Sequence, residues 1–131
     1  MFSVDLSTRE GDGHVIVALR GELDILDAAG VAGALATVTA REPRVIVDLA
    51  GLDFIDASGL AALVSGWKHA RHAGGDLLLA APQQRVLQVL TVTRLLDLFS
   101  VHPSVEEAVR IAGSWWRVAA PVASPVVFAA L

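Results

Sequence analysis

The 131-residue chain contains no cysteine. That excludes a disulfide framework and a thiolate metal site, and it fits a reducing cytoplasm. Positive charge is also scarce. Ten Lys and Arg against fourteen Asp and Glu leave a net charge of -4, whereas a nucleic-acid binder needs a basic footprint to neutralise phosphates. No direct nucleic-acid partner is therefore expected. The start, Met1-Phe2-Ser3-Val4-Asp5, has neither a positively charged leader nor an apolar run and does not read as a secretory signal. A long uninterrupted apolar stretch is missing too. Ser114 to Leu131 is mostly apolar, but Arg117, Pro121 and Pro125 interrupt it, and a spanning helix needs about 20 predominantly apolar residues. No membrane span is expected. There is no P-loop and no dinucleotide fingerprint, so no cofactor is expected either.

What is present is apolar material in short, well-punctuated runs. Hydrophobic residues make up 54% of the chain, which excludes disorder for most of its length and suffices for one core. Phe2 to Ser7 alternates apolar and polar residues, as a half-buried strand does. Glu10-Gly11-Asp12-Gly13 reads as a turn, and His14 to Leu19 is a continuous apolar run expected of a strand covered on both faces. These two form a hairpin that leads into Arg20-Gly21-Glu22-Leu23-Asp24. Asp27 is a candidate N-cap for a helix to about Ala40, with Val31, Leu35 and Val38 at helical spacing and Ala and Gly elsewhere, so that a neighbour can approach. Glu42-Pro43 ends it.

Arg44 to Leu49 is the next strand, and Phe54-Ile55-Asp56 closes a loop before a helix from about Ser58 to Ala73. Leu60, Leu63, Val64 and Trp67 form its apolar stripe. Gly74-Gly75 stops that helix. Asp76 to Ala81 is another buried strand, and Pro82 opens a helix carrying Val86, Leu87 and Leu90. Leu98 to Val101 is a short last strand. Ser104 to Ala112 is a last helix, with Ser104 and Glu107 at capping-box spacing. Helices joining apolar strands imply parallel pairing, and the opening hairpin makes the sheet mixed. The expected fold is α/β: one domain over residues 1–112, a mixed β-sheet packed with about four α-helices, followed by an apolar C-terminal extension over 113–131.

The most informative segment is Phe54-Ile55-Asp56-Ala57-Ser58-Gly59-Leu60, which sets a hydroxyl beside a carboxylate at a strand-to-helix junction. Ser and Asp are favoured helix caps, and capping alone is one reading. The other is electrostatic. The first turn of a helix has unpaired N–H groups and a partial positive charge, so it tolerates a phosphoryl group. On this reading Gly59 leaves the hydroxyl unshielded. Ser58, Ala62, Ser65, His69 and His72 lie opposite the apolar stripe, a face with only small side chains near Ser58.

Asp56-Ala57-Ser58-Gly59-Leu60, entered from Phe54-Ile55, resembles the signature of STAS-domain anti-sigma factor antagonists. Gly21-Glu22-Leu23-Asp24 resembles that family's other recurrent segment. The element order and Gly74-Gly75 match as well, over roughly residues 1–112. The resemblance implies a cytoplasmic, non-enzymatic switch in which Ser58 is phosphorylated by a partner that is both anti-sigma factor and serine kinase. The unmodified protein captures the kinase and frees a sigma factor; the phosphorylated form lets go until a protein phosphatase restores it. ATP belongs to the partner. Asp24, Asp56, Ser58, Gly59, Ala62 and Ser65 are the expected partner-binding residues. Many relatives carry a second hydroxyl residue where this chain has Ala57. The extension, with Trp115, Trp116, Val126, Val127 and Phe128, has no counterpart in the minimal family domain; packing on the domain's own surface, a homodimer contact and cover for the partner face are its candidate roles.

Other readings fit less well. A nucleophile elbow needs glycines two before and two after the serine, where this chain has Asp56 and Leu60. His69 and His72 lack an evident third metal ligand and stand beside Lys68 and Arg71; Glu22, Asp24 and Asp27 do not follow calcium-loop spacing. No metal site is expected. The rival reading keeps the fold and makes the protein a non-switching scaffold subunit of a stress-signalling assembly or membrane transporter, with Ser58 a cap.

Overall fold

The apolar runs at 14–19 and 44–49 lie side by side as parallel neighbours, because each is buried on both faces and pairs with the other through its backbone. In the computed structural model, which describes residues 4–122, they belong to β2 (Val15–Leu23) and β3 (Arg44–Ile55). The remaining elements are β1 (Val4–Glu10), α1 (Ile25–Arg41), α2 (Ala57–His72), β4 (Asp76–Ala80), α3 (Gln84–Val92), β5 (Val101–His102) and α4 (Val105–Val122). A single 3-10 turn, Leu95–Asp97, precedes β5.

The sheet order follows the chain, β1-β2-β3-β4-β5. β1 and β2 are the expected antiparallel hairpin, and every later pairing is parallel. The mixed α/β sheet expected from the sequence is thus present, with four helices. One face of the sheet buries Val17, Leu19, Val45, Val47, Leu77 and Leu79 under α1, α2 and α3. The other buries Ile16, Ile46, Leu78 and Ala80 under Val105, Ala108 and Ala112 of α4. Two cores, one on each face, are why these strands read as unbroken apolar runs.

Several boundaries differ from expectation. β2 continues through Arg20-Gly21-Glu22 to Leu23, and β3 runs on to include Phe54 and Ile55, which were expected in a loop. The ladder hydrogen bonds need no apolar side chain, so the polar ends extend the strands past the apolar run. Asp24, not Asp27, caps α1; its extended backbone and its Oδ1, which accepts the Leu26 N–H at 3.0 Å, fill the capping role. A neighbour does approach α1 closely, but not at its glycines: Gly30 and Gly33 have open space around them, Ala28 and Ala32 pack against the core, and a Cβ on Gly66 of α2 would stand 2.8 Å from Leu35 Cδ1 of α1.

α3 begins two residues after Pro82, and Gln83 ties it to the middle of β3 by donating to the Ala50 carbonyl at 2.8 Å. At α4, Ser104 Oγ accepts the Glu107 N–H at 3.0 Å, but the Glu107 carboxylate pairs with Arg110, so half of the capping box forms. The backbone of α4 passes through Gly113 to Val122, so no element ends at the expected domain edge. Val126, Val127 and Phe128, with the rest of 123–131, lie outside the described residues. Among the described residues no helix is long and apolar enough to cross a membrane.

Candidate functional site

Because β2 and β3 are parallel neighbours, they deliver their following helices to one edge of the sheet. Leu23 pairs with Ile55 in the register, so the next residues, Asp24 and Asp56, emerge together. The Asp56 N–H donates to the Leu23 carbonyl at 3.2 Å, which locks the two strand ends to each other. Asp24 caps α1 and Asp56 caps α2, where its Oδ1 accepts the Gly59 N–H at 2.9 Å. Two helix N-termini, each with unpaired first-turn N–H groups, therefore open side by side.

Ser58 is the second residue of α2 and is half-buried. Among the described residues its hydroxyl makes no hydrogen bond. The capping position belongs to Asp56, and this separates Ser58 from the bland reading that made it a cap. Gly59 has a different task from the one expected of it. A Cβ there would stand 2.7 Å from Ile55 Cγ1, 2.8 Å from Leu23 Cγ and 2.9 Å from the Leu23 carbonyl oxygen. Gly59 is buried and lets α2 seat directly on the strand ends, so it presents no surface for a partner to bind.

Ala62 also departs from expectation. It is 4% exposed and belongs to the main core, because α2 packs on the sheet and on α1 at once, and one apolar stripe does not account for both contacts. Gly59, Ala62, Gly66 and Ala70, spaced three or four apart, form the second buried row. That row of small residues was the available signal. The outward strip of α2 is Ser58, Ala61, Ser65, Lys68, His69 and His72, with Ser65 two turns from Ser58. Ser58, Ser65, Asp24 and Asp56 thus remain accessible at the site or on its helix, while Gly59 and Ala62 support it from below.

Sequence reasoning missed the apolar rim. Ile25 and Leu26, the first two residues of α1, are 72% and 74% exposed, and Phe54 and Val92 are also exposed. Phe54, Val89 and Val92 line a groove of about 400 Å³ between the end of β3 and α3, with Asp53 and Arg85 beside it. Apolar residues directly after Asp24 were the visible sign.

Among the described residues no histidine is hydrogen-bonded to the Ser58 hydroxyl. His69 is eleven residues along α2 from Ser58, about 16 Å at the helical rise. His14 lies at the opposite end of β2, hydrogen-bonded to the Asp12 carbonyl. At the far end of α2, Asp76 is buried at the start of β4, where its Oδ1 accepts the Leu77 N–H at 2.8 Å. Burial pushes its carboxyl above the ordinary value of 3.8, outweighing Leu77, Arg71 and Trp67, which each pull it down. Arg71 stands 3.8 Å from Asp76 and over the Trp67 ring.

Residues 5–108 match the STAS domain family. The anti-sigma-F factor antagonist RsfA of Mycobacterium tuberculosis is 33% identical over 101 residues, covering 74% of this chain and 78% of the relative. A putative anti-sigma factor antagonist of Thermotoga maritima superposes with a TM-score of 0.73 at 22% identity, over 80% of this chain and 92% of that one. Bacillus SpoIIAA superposes with TM-scores of 0.66 in its unphosphorylated form and 0.64 in its phosphorylated form, at 24% and 20% identity. These cover 86% and 84% of this chain and 97% and 99% of those. The match over residues 5–108 and the 33% identical relative show that the chain belongs to the STAS domain family of anti-sigma factor antagonists, regulators that are not enzymes.

Proposed function

We propose that this protein is a phosphorylation-controlled antagonist in the cytoplasm, with Ser58 as the modified residue. The unphosphorylated form binds an anti-sigma factor that is also a serine kinase, and so frees a sigma factor. Phosphorylation of Ser58 releases the partner, and a protein phosphatase resets the cycle. The observation that carries this reading is the division of labour at the mouth of α2: Asp56 satisfies the helix end, and the Ser58 hydroxyl is left half-exposed and unengaged. That Bacillus SpoIIAA has been solved in phosphorylated and unphosphorylated forms supports the same reading.

The surroundings supply both adhesion and release. Ile25, Leu26, Phe54 and Val92 offer exposed apolar area next to the site, and burial on docking is worth about 25 cal/mol per Å² before association costs. Phosphorylation adds nearly two negative charges within a turn of Asp56 and close to Asp24, inserting a strongly hydrated group into that contact. Repulsion against a partner carboxylate would reach about 3 kcal/mol after partial screening, a loss of roughly a hundredfold in affinity.

The test uses the full chain as bait in its native cytoplasm. Ser58→Ala should retain an ATP-binding anti-sigma factor and Ser58→Asp should not. Equal retention of the same partners by both baits would make Ser58 silent and favour the scaffold reading. Asp24 is a proposed docking residue, but it also caps α1. Asp24→Asn keeps the cap and removes the charge, so a weaker complex from that variant would isolate docking from folding.

A further inference from the structure

β1 is an outer strand. It pairs with β2 along all seven residues without a register shift, from Val4 opposite Gly21 to Glu10 opposite Val15, and among the described residues its other edge carries no strand. Proteins commonly blunt such an edge with proline, lysine or a bulge. Val-Asp-Leu-Ser-Thr-Arg-Glu has none of these, and the charged side chains that also serve to blunt an edge are here of both signs, Asp5, Arg9 and Glu10. One face of the strand presses Val4 and Leu6 on the main core. The other face, Asp5, Ser7 and Arg9, is exposed, since α4 packs on β3, β4 and β5. Glu10 pairs with Arg41, whereas neither Asp5 nor Arg9 has an ion-pair partner among the described residues.

We propose that β1 is a self-complementary edge through which two copies of this chain associate, their β1 strands antiparallel about a two-fold axis at Ser7. In that register Asp5 of each copy lies opposite Arg9 of the other. Val4 falls opposite Glu10, Leu6 opposite Thr8 and Ser7 opposite Ser7, so the whole strand is used. The charge pattern disfavours the alternatives. A slip of one residue sets Asp5 against Glu10 or Thr8, and it moves Leu6 off the core-facing side of the joint sheet. A slip of two residues in either direction sets both Asp5 and Arg9 opposite uncharged residues. Parallel alignment in register sets Asp5 against Asp5. An isologous two-fold contact of this kind closes on itself and makes a dimer, not a fibre.

Seven residues span about 23 Å of edge, and such a contact is smaller than the roughly 1,600 Å² of a standard stable interface. The dimer is accordingly weak and concentration-dependent. It involves the sheet edge and not the mouth of α2, and it does not depend on the role of Ser58.

Sedimentation equilibrium of the full chain, from about 10 μM to about 1 mM, tests the proposal over the range expected for a small interface. Wild type should show a monomer–dimer equilibrium. Asp5→Arg or Arg9→Asp alone should weaken it at least about tenfold, because two attractive cross-strand pairs become repulsive. The double variant Asp5→Arg/Arg9→Asp should restore it. Both positions are exposed, and unchanged thermal melting of the single variants would verify that the fold is intact. A monomer throughout the range, a dimer indifferent to single reversals, or a double variant that stays monomeric would each overturn the proposal.

Discussion

Gly59 is where the site and the fold meet, and its replacement is the sharpest test of how α2 is seated. In Gly59→Ala the new Cβ would lie 2.7 to 2.9 Å from Ile55 Cγ1, Leu23 Cγ and the Leu23 carbonyl oxygen. Leu23 is fully buried and Ile55 is 3% exposed, so neither side chain can swing into solvent. The carbonyl is held as well, since it accepts the Asp56 N–H. Overpacking of this kind costs about 1–3 kcal/mol. The gain in helix propensity from Gly to Ala offsets up to about 1 kcal/mol. The net expectation is a loss of about 1–2 kcal/mol, read as a fall in Tm of roughly 4–8 °C by differential scanning calorimetry. Gly33→Ala is the control: that glycine is exposed in α1 with nothing near its missing Cβ, and the variant should gain about 0.5–1 kcal/mol. If both variants shift Tm upward by similar amounts, α2 is not seated as tightly as the geometry implies, and the reasoning fails.

The capping assignment predicts that Asp56→Ala loses about 1 kcal/mol in urea unfolding, because the Gly59 N–H loses its acceptor. Ser58→Ala should stay within about 0.5 kcal/mol of wild type, and the reverse order would return the cap to Ser58. Asp76 predicts a pH signature. Its folded carboxyl holds a proton more tightly than its unfolded one, so its contribution is most favourable below 3.8 and declines as pH rises through the raised folded value. Asp76→Asn removes that decline, and unfolding between about pH 4 and pH 7 should show the variant gaining on wild type as pH rises. A difference that is flat or shrinks with pH would contradict burial as the dominant influence.

The strands were legible because burial on two faces writes itself as an unbroken apolar run, as at Val15–Leu19 and Val45–Val47. Their last turns toward the site were not. Arg20 pairs with Gly51 and Glu22 with Phe54 through backbone alone, and no side-chain pattern records that. The same gap explains the choice of Asp27 over Asp24: both are good caps by type, and only the end of β2, set by its pairing with β3, decides between them. Ala62 was misplaced for a related reason. A single stripe presumes one packing partner, and α2 has two.

The feature that misled is also the one that shapes the site. Gly59 and Gly66 bring the α2 backbone within contact of Leu23, Ile55, Leu35 and Leu77, so the helix is held by close-packed neighbours along its length. Packed interiors of this density do not deform smoothly. A charge added to Ser58 would therefore have little freedom to shift its own helix, and under the proposed function its effect would fall on a partner docked against Ile25, Leu26 and Phe54. On the proposed reading, a phosphate at Ser58 would act by changing the surface a partner meets and not by rearranging the domain beneath it.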